Sequence, residues 1–381
     1  MRLERFWYSS NDGWSVAEFP AIDSDQTVVF VFFSPELANS ENIFAELRHA
    51  YPTSHIVGCS TSGEIHNERL TDQSLSVAAI RFDQTQVRTA FASISDAKDS
   101  LLCGERLSAT LNAPDIRGVL VFSDGLHVNG SALVQGLTSG LPEGTSVTGG
   151  LAGDGDRFQK TWSMIDGKPV ENGVVAVGLY GDAVHIGRSS RGGWDIFGIE
   201  RQITRSKDNV LFELDGKPAL TLYREYLGEF AKNLPAAGLL FPLSIRSGNG
   251  YEDGLVRTIL AIDEDEMSLT FAGDVPEGAF AQLMRANPER LIDGAGLASQ
   301  AALPDQPEGP VLSIAVSCVG RRLVLAERTE EEVEASFLEL PEGSAQVGFY
   351  SYGEIGASPG GSANVLHNQT FTVTHVWEDA A

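Results

Sequence analysis

The stretches GCSTSGEI (58–65) and GFYSYGEI (348–355) share the pattern G-x-x-[ST]-x-G-E-I and lie near opposite ends of the chain. What precedes each copy decides the fold. Before the first, TVVFVFFS (27–34) is a run of β-branched and aromatic residues ended by serine, the pattern of a buried strand. Ser40 reads as an N-cap, Ile43, Phe44 and Leu47 share one helical face, and Pro52 ends the helix. HIVG (55–58) is then a second strand running into CSTSGE. Before the second copy, VLSIAVSC (311–318) is the strand, Thr329 and Glu332 form a capping-box pattern opening the helix EEEVEASFLEL, and Pro341 follows it. Both copies therefore follow a β-α-β unit.

The same order occurs between them. GVLVFS (118–123) is a strand, Asn129 caps a helix that buries Leu133, Val134 and Leu137, and SVTGG runs into LAGDG (151–155). Two duplicated units and a third partial copy are expected. LSVAAIRF (75–82) and VRTAFASI (87–94) read as a hairpin turning at DQTQ, and GVVAVGLY (173–180) and AVHIGRSS (183–190) as another pair. In the connecting region, a helix is expected with Leu220, Tyr223, Leu227 and Phe230 inward, then antiparallel strands at 255–263 and 267–273. Asn287 and Pro288 open a further helix, and 364–377 alternates as one final strand. The expected class is α/β, with repeated β-α-β units, mixed sheets and two domains. The divisions are a segment 1–26, domains 27–215 and 216–375, and a tail 376–381.

With 381 residues, 42% hydrophobic and 21% charged, the chain can bury two or three cores. Its formal net charge of −25 repels phosphate backbones and anionic headgroups, which argues against nucleic-acid and membrane partners. No run of about 18 apolar residues occurs and the N-terminus lacks a signal-peptide pattern, so a soluble protein is expected. Cys59, Cys103 and Cys318 are widely spaced and form no CxxC pair, which fits a reducing cytoplasm.

Ligands of αβ sheets sit beyond the carboxyl ends of parallel strands. That rule singles out Ser34, Cys59, Ser60, Thr61, Gly63, Glu64, Ser123, Asp124, Gly149, Gly150, Asp154, Cys318, Tyr350, Tyr352 and Glu354. Glycines there let backbone N–H groups approach a ligand, and the hydroxyls and carboxylates suit a polar small molecule. Glu64 and Glu354 are candidate paired carboxylates, or else they bind neighbouring loop N–H groups. Arg246, Arg257 and Arg321 are candidate counter-charges for a carboxylate ligand. Cys59 and Cys318 are candidate nucleophiles without a recognisable histidine partner, and Cys59 faces Phe349 at the matching motif position, which argues against shared catalysis. The seven histidines lack metal spacing. A haem needs only one axial ligand, and His127 and His367 are the candidates.

Read together, VVFVFFS, VGCSTSGEI, VLVFSDGL, TGGLAGDG and NGVVAVGLYG resemble a FIST N domain, and GWDIFG and ELDGKPALTLYREYLG continue the likeness toward the junction. LVRTILAID, SCVGRRLVL, GFYSYGEIG and LHNQTFTV resemble a FIST C domain. The resemblance implies a bacterial sensory module that binds a small ligand such as an amino acid and relays the event, rather than an enzyme. Some members are described as haem proteins that sense nitric oxide and regulate a histidine kinase or a cyclic-di-GMP enzyme. Output is expected through a separate partner or from ligand-dependent oligomerisation.

Overall fold

The computed structural model describes residues 1–246, 254–303, 307, 309–358 and 361–379; residues 380 and 381 of the expected tail lie outside them. Three units of one design follow each other. The first comprises β1 (Arg2–Ser9), a short β2 (Gly13–Trp14), β3 (Thr27–Phe33), α1 (Glu41–Ala50), β4 (His55–Ser60), the hairpin β5–β6 (Glu64–His66, Arg69–Thr71) and β7 (Ser74–Arg81). The second comprises β8 (Gln86–Ser93), α2 (Ser100–Leu111), β9 (Ile116–Ser123), α3 (Gly130–Ser139), β10 (Ser146–Leu151), the hairpin β11–β12 (Trp162–Ile165, Lys168–Glu171) and β13 (Gly173–Tyr180). The third begins with β14 (Val184–Arg191). It is then interrupted by a lobe containing strands β15 to β23 (from Trp194–Ile196 to Phe280–Ala286) and α4 (Ala219–Leu227). It resumes with α5 (Pro288–Ala301), β24 (Leu312–Cys318), α6 (Val319–Leu325), α7 (Thr329–Phe337), β25 (Ala345–Ser351), the hairpin β26–β27 (Gly353–Ala357, Asn364–His367) and β28 (Phe371–Glu378).

Each unit builds one sheet but gives its hairpin to another. The parallel pairs are β3 with β4, β9 with β10, and β24 with β25. Beside each pair lies an antiparallel strand from its own unit: β7, β13 or β28. The other flank is filled from elsewhere: β11 of the second unit lies on β4, β26 of the third on β10, and β5 of the first on β25. The exchange is cyclic, so the two halves of the sequence interlock: β26 and β27 complete a sheet of the N-terminal half, and β5, β6 and β14 one of the C-terminal half.

The sequence pattern follows from this arrangement. Strands covered on both faces read as continuous apolar runs, and every residue of β3 is buried. Its alternate side chains serve two cores. Phe30 and Phe32 face an axial core shared with Leu120, Phe122, Val316 and Phe349 of the other sheets, while Val29, Val31 and Phe33 pack outward with α1. Phe32 stacks on Phe349 at 4.9 Å and meets Phe122 edge-on at 5.4 Å. Helices α2 and α3 cover the second sheet, and α5 and α7 the third.

Several local expectations change. Residues 75–82 and 87–94 form no hairpin: β7 joins the first sheet and β8 the second. Their DQTQ link is a corner between units, where the Glu378 carboxylate accepts the N–H groups of Asp83, Gln84 and Thr85 at 2.7, 2.8 and 2.7 Å. Likewise β14 pairs with β28 rather than β13, and 364–377 is two strands in two sheets. The third copy is complete rather than partial. Thr329 does not cap through a box: its hydroxyl donates to Ala326 O at 2.5 Å, and Glu332 is drawn inward by Arg321. Ser40 precedes α1 without a side-chain cap bond, whereas Asn129 and Asn287 do cap. Leu220, Tyr223 and Leu227 are buried as expected, but Phe230 is exposed.

Candidate functional site: the strand-exit turns

The repeated motif is first a device for changing sheets. Gly58, Gly149 and Gly348 sit where the parallel strands touch. A Cβ on them would lie 1.8, 1.9 and 1.8 Å from the carbonyl oxygens of Val31, Val121 and Ala315. No side chain fits at that distance. Four residues on, the chain crosses to the next sheet. Ser62 N–H donates to Tyr350 O (2.8 Å), Gly153 N–H to Ser60 O (3.1 Å) and Tyr352 N–H to Leu151 O (3.2 Å), a closed ring of three bonds linking the units.

The remaining motif positions satisfy the crossing. Thr61 donates to Glu64, which accepts Ser74 N–H at 3.1 Å and its hydroxyl at 2.7 Å. Ser351 donates to Glu354 at 2.8 Å, which accepts Thr370 N–H at 3.1 Å and its hydroxyl at 3.0 Å. Burial pushes both glutamates up to about 8 against these hydrogen bonds, so both are largely protonated near neutrality. Each binds its own loop, the second of the two readings offered by the sequence.

Beside the first turn lies a cleft of about 300 Å³ to which all three units contribute. The first unit supplies Ser34, Glu36, Thr61, Ser62, Gly63, Glu64, Asp72 and Gln73, the second Gly155 to Arg157, and the third Arg322. Two ion pairs frame it: Arg157 with Glu36, and Arg322 Nη2 with Asp72 Oδ2 at 2.6 Å. Burial alone would raise the Glu36 carboxyl, but the Arg157 guanidinium and Ser34 hydroxyl hold it below its usual range. Expected residues Ser34, Thr61, Gly63 and Glu64 are brought together here.

Most other expected residues are committed elsewhere. Ser60 donates to Gly153 O at 2.9 Å and accepts Trp162 N–H at 3.0 Å. Ser123 donates to Asp124 O. Asp124 accepts Leu126 N–H, His127 N–H and the Thr161 hydroxyl, and Asp154 accepts the N–H groups of Phe158, Gln159 and Lys160. Tyr352 donates to Asp154 and stacks on Phe158 at 4.4 Å, filling the second exit. Gly150 faces Val316 Cγ1, 2.7 Å from where a Cβ would lie. Arg321 and Glu332 form a fully buried pair at 2.7 Å. Arg321 also donates to Gly192 O and Leu291 O, and Glu332 accepts the hydroxyls of Tyr350 and Ser317. Arg321 is therefore a strut, not a free counter-charge. Arg246 pairs with Glu200 at 2.9 Å. Arg257 lies in a different groove.

The cysteine candidates are enclosed. Cys59 belongs to the axial core and Cys318 is 1% exposed, and burial raises both thiols, which disfavours the thiolate. A haem needs an imidazole nitrogen aimed into an apolar slot. The His127 side chain is 49% exposed, with Nδ1 3.2 Å from Asp124 Oδ1. His367 is buried and held low, to about 4, by that burial, but its Nε2 faces Ala357 O at 2.8 Å. The groove of about 480 Å³ beside it is lined by Arg191, Asp195 and Arg290 as well as Trp194 and Met284. Neither setting fits a haem.

Glu36, Asp72, Gln73, Asp156, Arg157 and Arg322 were not among the sequence candidates. Glu36, two residues past the strand-ending Ser34, was the one nearest to a legible signal. Arg322 comes from α6, a short helix hidden in SCVGRRLVL.

Two family models match most of the chain. Residues 27–217 match the FIST N domain and residues 219–357 the FIST C domain. The chain belongs to the FIST family. FIST domains are associated with sensory roles in signal transduction. The uncharacterized protein MJ1623 of Methanocaldococcus jannaschii is 22% identical to this FIST protein over 369 aligned residues, covering 86% of this chain and 69% of its own. Among the described residues no helix is long and apolar enough to cross a membrane.

Proposed function

We propose that this FIST protein is a cytoplasmic sensor that binds a small zwitterion, such as an amino acid, in the first exit cleft and signals through a separate partner protein. The observation that carries this reading is the composition of the cleft. Unlike the fully buried Arg321–Glu332 pair, the half-exposed Arg157–Glu36 and Arg322–Asp72 pairs can exchange with a zwitterion, its carboxylate taking the arginines and its ammonium the two carboxylates. Because the second and third units each contribute one of those arginines, occupancy changes contacts between units, which is the differential interaction a relay requires. The enclosed thiols favour binding over turnover. A histidine kinase or cyclic-di-GMP enzyme remains the class of partner implied by the family; the histidine settings do not favour the haem alternative.

Isothermal titration of the purified protein with a panel of amino acids tests the proposal. Binding that weakens at least tenfold in Arg322→Gln supports it. Absence of binding across the panel, or affinity indifferent to Arg322, overturns it.

A further inference from the structure

Among the described residues two arginines are almost completely enclosed, and they are treated differently. Arg321 has Glu332. Arg257, on β20 (Leu255–Arg257) of the inserted lobe, is 4% exposed and has no carboxylate within ion-pairing distance among the described residues. Its Nε donates to Asp274 O at 3.0 Å, and its Nη1 to Leu366 O at 3.1 Å and Val256 O at 3.3 Å. No acceptor lies on Nη2 among the described residues. A buried charge is ordinarily neutralised by a partner, because carbonyl dipoles alone compensate its lost hydration poorly. Burial lowers the guanidinium to about 10 against the opposing charge of Asp274, whose carboxylate is beyond ion-pairing distance and accepts from Asn129 instead, so Arg257 stays charged near neutrality.

The side chain lines a groove of about 400 Å³ between α3 of the second unit, β27 of the third and the lobe. The walls around Arg257 include Val134, Leu255, Val365 and Leu366, with Thr138 also present. Among the described residues no acidic side chain lines it.

We propose that this groove is a second binding site, for a monocarboxylate with an apolar tail whose carboxylate takes the free face of Arg257. The four aliphatic walls select the tail. With no acidic residue among its described lining residues, the groove does not match the ammonium of a zwitterion. The site is separate from the exit cleft and independent of the function proposed for it. A ligand here touches the lobe and two units at once, beside the Asn129–Asp274 hydrogen bond of 2.8 Å that already joins the second unit to the lobe.

Isothermal titration with hexanoate, and with hexanamide as its uncharged counterpart, tests this on the full chain at neutral pH. Hexanoate is expected to bind at least tenfold more tightly than hexanamide. Its affinity is expected to fall at least tenfold in Arg257→Gln and in Gln135→Trp, a change at an exposed position of the wall that fills the groove and leaves the arginine in place. If Arg257→Gln does not fold by circular dichroism, Gln135→Trp alone decides. Arg322→Gln is expected to leave hexanoate binding unchanged while weakening amino-acid binding, so the two sites can fail separately. Equal binding of hexanoate and hexanamide, no hexanoate binding up to about 10 mM, or wild-type affinity in Gln135→Trp overturns the proposal.

Discussion

The turns at 58–65 and 348–355 share a sequence pattern, yet one borders a cleft and the other is sealed. Both begin with a glycine pressed against a neighbouring strand, and both end in a buried glutamate bound to its own loop. Their surroundings differ. Beside the first, the Arg322 guanidinium packs against Gly63 and pairs with Asp72, leaving room. Beside the second, the Gln369 amide packs on Gly320 and donates to Leu239 O of the inserted lobe at 2.9 Å, while Gln369 O accepts the Trp194 indole N–H at 2.9 Å. The motif fixes how the chain leaves a strand. Its neighbours decide whether that exit is a site.

The largest effects should fall on what the turns share. Gly58→Ala, Gly149→Ala and Gly348→Ala each drive a methyl into a carbonyl oxygen. We expect losses of about 3–5 kcal/mol or failure to fold, similar at all three positions. Gly144, with φ of 85° but open space around it, should lose about 1 kcal/mol on the same change. Urea unfolding checks this, and a mild Gly149 or Gly348 variant would break the equivalence of the units.

Adjacent arginines offer the next contrast. Arg321→Met strands a buried Glu332 and should cost about 3–5 kcal/mol. Arg322→Gln removes a partly exposed pair and should cost less than about 1 kcal/mol, while weakening ligand binding. Denaturation and titration of both variants separate a strut from a ligand-binding group.

The two glutamates sharpen the comparison by pH. Each has a folded value of about 8, raised above the unfolded range near 4.5. Between those values the native state holds the proton and the unfolded state does not. Stability contributed by each is thus fully present below about 4.5 and declines as pH rises to 8, by up to about 1.4 kcal/mol per pH unit. Glu64→Gln and Glu354→Gln should each flatten that decline in denaturation curves taken at pH 6 and 8. Only Glu64 borders the cleft, so ligand should alter the pH profile of the Glu354→Gln variant and leave that of Glu64→Gln less affected.

The smallest effect is expected at the thiols. Cys59, Cys103 and Cys318 are all buried, and a thiol reagent at neutral pH should label them only after unfolding. Rapid labelling of Cys59 or Cys318 in the native protein would reopen the nucleophile reading.

Local chemistry was legible because it is written in adjacent residues. The apolar run at 27–33, the Asn129 and Asn287 caps and the glycine-led exits each depend on neighbours a few positions away. So do four residues of the cleft: Ser34, Thr61, Gly63 and Glu64. Strand partners were not legible, because alternation says that a strand is covered and not by what. Hence β7 and β8 looked like a hairpin, and Arg321 looked free although Glu332 lies one short helix away. The sequence by itself determined three β-α-β units with glycine-led exits, since period, capping and close approach are short-range constraints. Tertiary structure decided the cyclic exchange of hairpins, the position of the lobe and therefore which exit stays open. Those outcomes rest on contacts between residues more than a hundred positions apart, such as Arg322 with Asp72 and Gln369 with Leu239, whose pairing no local pattern encodes.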